Sequence, residues 1–441
     1  MSKKIRLQAV ALATFLSIMG LLLVGSSASA TRPQGGAVAP TNAKSVAVAA
    51  ATAEVLQETS ELRKLSILRP VKSGAQSRSE IERMIMKNLD EDTTPEEMHA
   101  TEISLKKLGL VPQDFQYRPF IVSLLTEQVA GYYDPKEQEF FLADWIDVDG
   151  QKPVIAHELT HALQDQHFNL RRFEKWPKGD SDAELAAHAL VEGDATLAMQ
   201  LYIMRNPMRA IAMLRSIEAS GSSSEQIDKA PRALRESLLF PYQRGLTWVQ
   251  SLFKRDGWAR VSQAFTDLPQ STEQIMHVEK YFAREAPVHL TQPDISGALG
   301  KGWKRVDYDV NGEWSFYLIL DEYLKSEAES ERAASGWGGD RYAVYEGKNS
   351  GEVLISQLTS WDSEKDAREF FDAYAKRTAR RYSGAEMTET LDGVASARRV
   401  WRTSTEGTVL MERNGSRVLI LEGVPAKADT KALLKTIWPK A

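Results

Sequence analysis

The stretch Val154-Ile155-Ala156-His157-Glu158-Leu159-Thr160-His161-Ala162-Leu163 sets the strongest constraint on how this chain can fold. Around its His-Glu-x-x-His core every residue is uncharged, as a helix buried beneath a site requires. Residues four apart lie one turn apart on one helical face, so the imidazoles of His157 and His161 are placed to close on a single ion. Glu158 sits one position round, near enough to act on water held by that ion without being a ligand itself. The 441 residues include seven histidines, and chance gives this five-residue pattern in on the order of one such chain in a hundred. Two neutral imidazoles suit Zn2+, which lowers the pKa of its water to about 7.

Zinc needs at least three protein ligands, and the chain has no cysteine to offer. The next helix must supply the third. It starts at the capping-box pattern Ser181-Asp182-Ala183-Glu184 and runs through Glu192 to about Met204. His188 and Glu192 are four apart and share a face. With a rise of about 1.5 Å per residue, a simple antiparallel pair of helices brings His188 nearer in level, whereas a longer loop or a tilt brings Glu192, so spacing leaves both open. Asp165, one turn beyond His161, either orients an imidazole or is solvated. His167, near the helix end, reads as a capping or surface residue.

At the His157-to-His161 pentad the chain resembles the zincin metallopeptidases. Leu190-Val191-Glu192-Gly193-Asp194-Ala195 is similar to the element that carries a ligand Glu in the gluzincin branch, although Thr196 stands where the thermolysin-type pattern has an Asp. The resemblance implies Glu192 as third ligand, Zn2+ as cofactor, a peptide or protein substrate, and hydrolysis by water with Glu158 as general base. It further implies a His and Tyr pair that stabilises charge on the attacked carbonyl. His277 and Tyr281, one turn apart on a short helix begun by Ser271 and Gln274, are the candidates, though no motif aligns them. The resemblance also implies a substrate held as an added strand on a sheet edge. Two alternatives remain: an amidase acting on peptidoglycan cross-links, and a non-catalytic exported protein that binds zinc or cell wall.

Residues 1–30 read as a secretory signal peptide: Lys3, Lys4 and Arg6 precede an apolar run to Val24, and Ala28-Ser29-Ala30 fits the small-x-small cleavage rule. The expected location is therefore secreted or periplasmic. The formal charge of −5 becomes −8 without those three cations, which argues against a nucleic-acid partner. No second apolar run approaches spanning length, so no stable membrane span is expected after signal cleavage.

The expected fold class is α+β. Residues 31–70 read as a low-complexity linker or pro-segment. Residues 71–295 read as a mostly helical zincin-like domain with a small sheet, and 300–441 as a smaller α+β domain in two layers. In the first domain, Ser79 with Glu82 and Thr94-Pro95-Glu96-Glu97 mark helix starts, Val129–Leu142 is a hairpin about Asp134-Pro135, and Met199–Leu214 is core helix plus turn. The hairpin's second arm, Glu139–Leu142, is the candidate substrate edge, and Phe240–Gly245 opens a further helix. In the second domain, Glu313–Ala334 and Ser363–Arg381 are helices, Asn414-Gly415 joins the last two strands, and Lys376, Arg377, Arg380 and Arg381 read as a solvated helix face.

Overall fold

The computed structural model of the chain describes residues 41–176, 179–220 and 225–438; the expected signal peptide and the start of the expected linker lie outside the described residues. The fold is a mostly helical α+β arrangement with two β-sheets. No helix among the described residues is long and apolar enough to cross a membrane.

Helix α1 (Thr41–Arg63) corrects the linker reading of this stretch. Its Ala-, Thr- and Val-rich composition carries little amphipathic signal, yet Val48, Val55 and Leu56 are buried in one cluster with Ile155, Leu159 and Leu163. Its alanines favour a helix, and tertiary packing holds that helix against the core. Strand β1 (Lys72–Gln76) follows, then helices α2 (Arg78–Asp92), α3 (Pro95–Leu108) and α4 (Tyr117–Gln128). The cap of helix α2 is Ser77, two residues earlier than expected, and Glu80 accepts from the Ser77 N–H at 2.7 Å. Thr94 and Glu97 form the box that starts α3.

Strands β2 (Gly131–Asp134) and β3 (Glu139–Ala143) form the expected hairpin. The second arm is not an edge, however, because β1 pairs parallel with β3 on its other side. With the order β1-β3-β2, both rows of β3 backbone groups are engaged and it has no room for an added strand. Helix α5 (Lys152–Phe168), which carries the pentad, lays Ile155, Ala156 and Leu159 against Tyr133, Phe140 and Leu142 of this sheet.

Helix α6 (Ser181–Arg205) is buried without interruption from Asp182 to Met199. Its cap is Asp180, which accepts from the Ala183 N–H at 3.2 Å, rather than Ser181; the Ser181 hydroxyl donates to Asp309 instead. Helix α7 (Met208–Ser220) follows a turn at Asn206-Pro207, and Met204 and Met208 there are exposed, so the Met-rich stretch is core only in part. Helix α8 (Arg232–Ala264) starts before Phe240 and contains Pro241 in its interior. It crosses α6 at glycine: a Cβ on Gly193 would stand 2.3 Å from the Gly245 carbonyl, and one on Gly245 would stand 2.2 Å from the Ala189 carbonyl oxygen.

The C-terminal unit comprises β4 (Lys304–Asp309), α9 (Gly312–Leu324), α10 (Glu327–Ala334), β5 (Trp337–Glu346), β6 (Val353–Trp361), α11 (Glu364–Arg381), β7 (Glu386–Asp392), β8 (Ser396–Arg402), β9 (Thr408–Asn414), β10 (Arg417–Val424) and α12 (Thr430–Ile437). Its strands make one antiparallel sheet in the order β4-β5-β6-β10-β9-β8-β7. Side chains alternate across it: Val344, Ile355, Val418 and Ile420 join the core with Phe316 and Phe370, while Tyr345, Leu354, Leu419 and Leu421 join Leu433 and Ile437. Helices therefore cover both faces, giving three layers where two were expected. The expected helix Glu313–Ala334 is divided at Lys325, whose φ of +50° ends α9.

The basic cluster is not a solvated face. Arg377 and Arg381 donate to the carbonyls of Leu108 and Lys107 at the end of α3, and Arg380 donates to those of Tyr323 and Leu324 at the end of α9. The last carbonyls of a helix need donors, and its negative pole favours cations. Lys376 and Arg380 are the exposed members, and Lys376 pairs with Glu329 at 2.8 Å. Beneath them Glu422 accepts from Arg377 Nη1 and from the Tyr382 hydroxyl, each at 2.8 Å. Burial alone would raise the Glu422 carboxyl, but the Arg377 and Arg381 charges hold it below the usual range. A depressed carboxyl stabilises the fold fully above the unfolded pKa of about 4.3 and loses that contribution as pH falls through the lower folded value. Thermal unfolding between about pH 3 and 6 should show it: wild type loses more Tm on acidification than Glu422→Gln, which starts lower at neutral pH.

Candidate metal centre

Helices α5 and α6 face each other with polar side chains between apolar ones, and this is where the expected ligands meet. His157 and His161 project from one face of α5, and Glu192 projects toward them from α6. The separations are 3.1 Å between the two Nε2 atoms, 3.2 Å from His157 Nε2 to Glu192 Oε2, and 3.4 Å from His161 Nε2 to the same oxygen. Zinc bonded to nitrogen and oxygen at about 2.0–2.1 Å in tetrahedral geometry spaces its ligands about 3.3 Å apart. The three buried side chains can hold a divalent metal ion, and their atoms match the face of such a tetrahedron. His188, one turn earlier on α6, is outside that triangle.

Charge explains why such a group is stable in the core. Burial alone would raise Glu192, but the His161 and His157 imidazoles hold its carboxyl down at about 2. Burial disfavours the His161 cation, yet the Glu192 and Glu158 carboxylates outweigh it and raise the imidazole to about 9. Burial lowers His157. Without metal, a proton on His161 therefore balances Glu192.

Glu158 differs from the ligands. Its Oε2 accepts the Tyr133 N–H from strand β2 at 3.0 Å, while its Oε1 is buried with no hydrogen-bond partner among the described residues. Burial, with Glu192 nearby, pushes its carboxyl up to about 8.

Gln164, not Asp165, orients an imidazole. Gln164 Oε1 is 2.8 Å from His161 Nδ1, and its Nε2 donates to Val191 O and Asp194 Oδ2 at 3.0 and 2.9 Å. Asp165 accepts from Arg69, from the Tyr133 hydroxyl and from Leu170 N at 2.8, 3.0 and 3.0 Å, so it ties the hairpin and the N-terminal segment to the end of α5. His167 bonds the Ser66 carbonyl at 2.8 Å. The Thr196 hydroxyl and His157 Nδ1 have no partner among the described residues.

His277 and Tyr281 have partners elsewhere. His277 Nε2 donates to Glu313 at 2.9 Å, a bond that raises its pKa and favours the imidazolium over a neutral donor. The Tyr281 hydroxyl donates to the Asp267 carbonyl at 2.8 Å, with the ring edge-on to Trp248. The tyrosine beside the triangle is Tyr242 of α8, whose ring stacks 6.3 Å from that of His157. Its buried hydroxyl faces the Glu192 carboxylate, and burial, the Glu192 and Glu158 charges and that interaction with Glu192 hold it well above the usual phenol range. Periodicity gave no hint of Tyr242, because its approach depends on the glycine crossing of α6 and α8.

A second acidic group, Glu273, Glu285 and Asp362, surrounds an ammonium: Lys280 Nζ lies 2.8, 2.7 and 2.6 Å from the three carboxylates. That cation already fills the position a metal would take.

Residues 300–434 match the family model of a domain of unknown function, DUF8575. No curated protein and no solved structure matches the chain.

Two measurements test this geometry. Zinc should bind one per chain and displace the His161 proton at neutral pH, so calorimetry in buffers of different ionisation enthalpy should show proton release, and affinity should fall on acidification. Gly193→Ala should lower stability to urea by about 1–3 kcal/mol or more, because the new methyl meets backbone that cannot yield.

Proposed function

We propose that the protein is an exported zinc-dependent metallopeptidase of the zincin type, with His157, His161 and Glu192 as ligands, as in gluzincins. One observation carries the reading beyond metal storage: Glu158, buried beside the triangle, keeps one oxygen anchored and the other unengaged. A purely structural site is closed by its ligands and has no use for such a group. Zinc held there supplies Lewis acidity, lowering the pKa of water to about 7.

This chain's own residues then divide the work. Glu158 Oε1 takes the proton of the attacking water and passes it to the leaving amine, a task suited to a carboxyl whose pKa lies near neutrality. The Tyr133 N–H fixes the other oxygen, so the base does not swing away. The Tyr242 hydroxyl, rather than His277 or Tyr281, donates to the oxygen of the attacked carbonyl as negative charge builds on it. Gln164 holds His161 in the tautomer that leaves Nε2 for the ligand triangle.

Hydrolysis of a mixed peptide library, with zinc content measured in parallel, tests the assignment. Glu158→Gln should retain zinc while kcat falls by about 100- to 10,000-fold. Tyr242→Phe should lower kcat on the order of 100-fold with KM little changed. Wild type that holds zinc and cleaves no peptide would refute the peptidase reading.

A further inference from the structure

A line of buried hydrogen bonds runs from the metal triangle to the N-terminal helix. Gln164 chooses its own orientation there: both acceptors, Val191 O and Asp194 Oδ2, lie on its Nε2 side, at 3.0 and 2.9 Å. Its Oε1 must therefore face His161 Nδ1, 2.8 Å away, and Nδ1 must carry the proton. The tautomer of His161 thus depends on Asp194 staying in place. Asp194 is fully buried, and its other oxygen accepts from Arg63 Nε at 2.5 Å.

Arg63 is the last residue of α1 and is itself fully buried. Its Nη1 donates to Ser262 Oγ at 3.1 Å and its guanidinium lies 4.4 Å over the Trp258 ring, so residues of both α6 and α8 hold it. Its partner on α6 is 131 residues away in sequence. A buried pair of this kind is costly, and removing one member leaves an uncompensated charge beside the other. An arginine on a dispensable linker would not be placed there.

Building on the zinc reading above, we propose that Arg63 is a positioning residue for His161, acting through Asp194 and Gln164, and that α1 is a working part of the metal site rather than a removable pro-segment. Outer hydrogen bonds of this kind fix the ring and the tautomer of a ligating histidine, and their loss costs about 10- to 100-fold in metal affinity.

The experiment uses the full chain, zinc alone as probe, and the variants Arg63→Met, Gln164→Ala and the double variant. Zinc affinity is read by competition with a chelator, folding of the zinc-free protein by circular dichroism, and the His161 tautomer by 15N NMR of the imidazole nitrogens in the zinc-free protein at about pH 10, where the ring is neutral. Each single variant should weaken zinc binding by about 10- to 100-fold, the double variant should be no weaker than the worse single one because both break one line, and His161 should lose its Nδ1–H preference. Asp194→Asn gives the same readout if Arg63→Met does not fold. A folded Arg63→Met or Asp194→Asn protein that binds zinc within threefold of wild type, or single losses that multiply in the double variant, overturns the proposal. Zinc affinity is independent of turnover: a wild type that binds zinc without cleaving peptides sinks only the peptidase reading, whereas one that binds no zinc sinks both.

Discussion

The contact between α5 and α6 is where this structure is most demanding. Two imidazoles, two glutamates, a glutamine and an aspartate are removed from water between these helices, and an isolated charge at such depth costs several kcal/mol. Most are tolerable because a complement is within reach: Glu192 has the two imidazoles, Asp194 has Arg63, and Gln164 bridges the groups, whereas Glu158 has only the Tyr133 N–H and is pushed toward its neutral form. A slipped or rotated packing of the same helices would separate these pairs. The polar layer thus works against alternative arrangements as well as for the observed one, and the apolar contacts around it supply the stability that it consumes.

Backbone proximity sets the third wall of the site. Where α6 crosses α8, Gly193 and Gly245 leave no space for a side chain. Glu192 precedes the first of these glycines and Tyr242 lies one turn before the second, so one close approach positions a ligand and a phenol together. Sheet residues complete the enclosure, with Tyr133 holding Glu158 by its N–H and Asp165 by its hydroxyl. A single residue of β2 therefore ties the middle and the last turn of α5 to the sheet.

The C-terminal unit is joined to the rest by a different principle. Arg377, Arg380 and Arg381 come from one helix and end two others, α3 and α9, at carbonyls that no residue of those helices can satisfy. Because α11 belongs to the C-terminal unit and α3 does not, Arg377 and Arg381 join the two through a helix end as well as through apolar contact. Such contacts are directional, and Glu422 behind them keeps the guanidinium of Arg377 in place.

The sequence by itself determined what is local. The spacing of His157 and His161, the hairpin before them, the Thr94 cap, the start of α11 after Ser363 and the Asn414-Gly415 turn all follow from helical period, side-chain caps and backbone preference within a few residues. Tertiary structure decided everything that depends on which surfaces meet. Glu192 rather than His188 reaches the imidazoles because of how α6 packs on α5, Gln164 rather than Asp165 faces His161, and Tyr242 rather than Tyr281 stands beside the triangle. Helix α1 has too weak a pattern to be read, and Arg63 acquires its role only by meeting a carboxylate 131 residues away. Strand β7 is exposed at all seven positions, so it has no buried face to leave an alternation in its sequence. Short-range preferences fix which elements form, whereas burial of charge and the approach of backbones fix which side chains share a site.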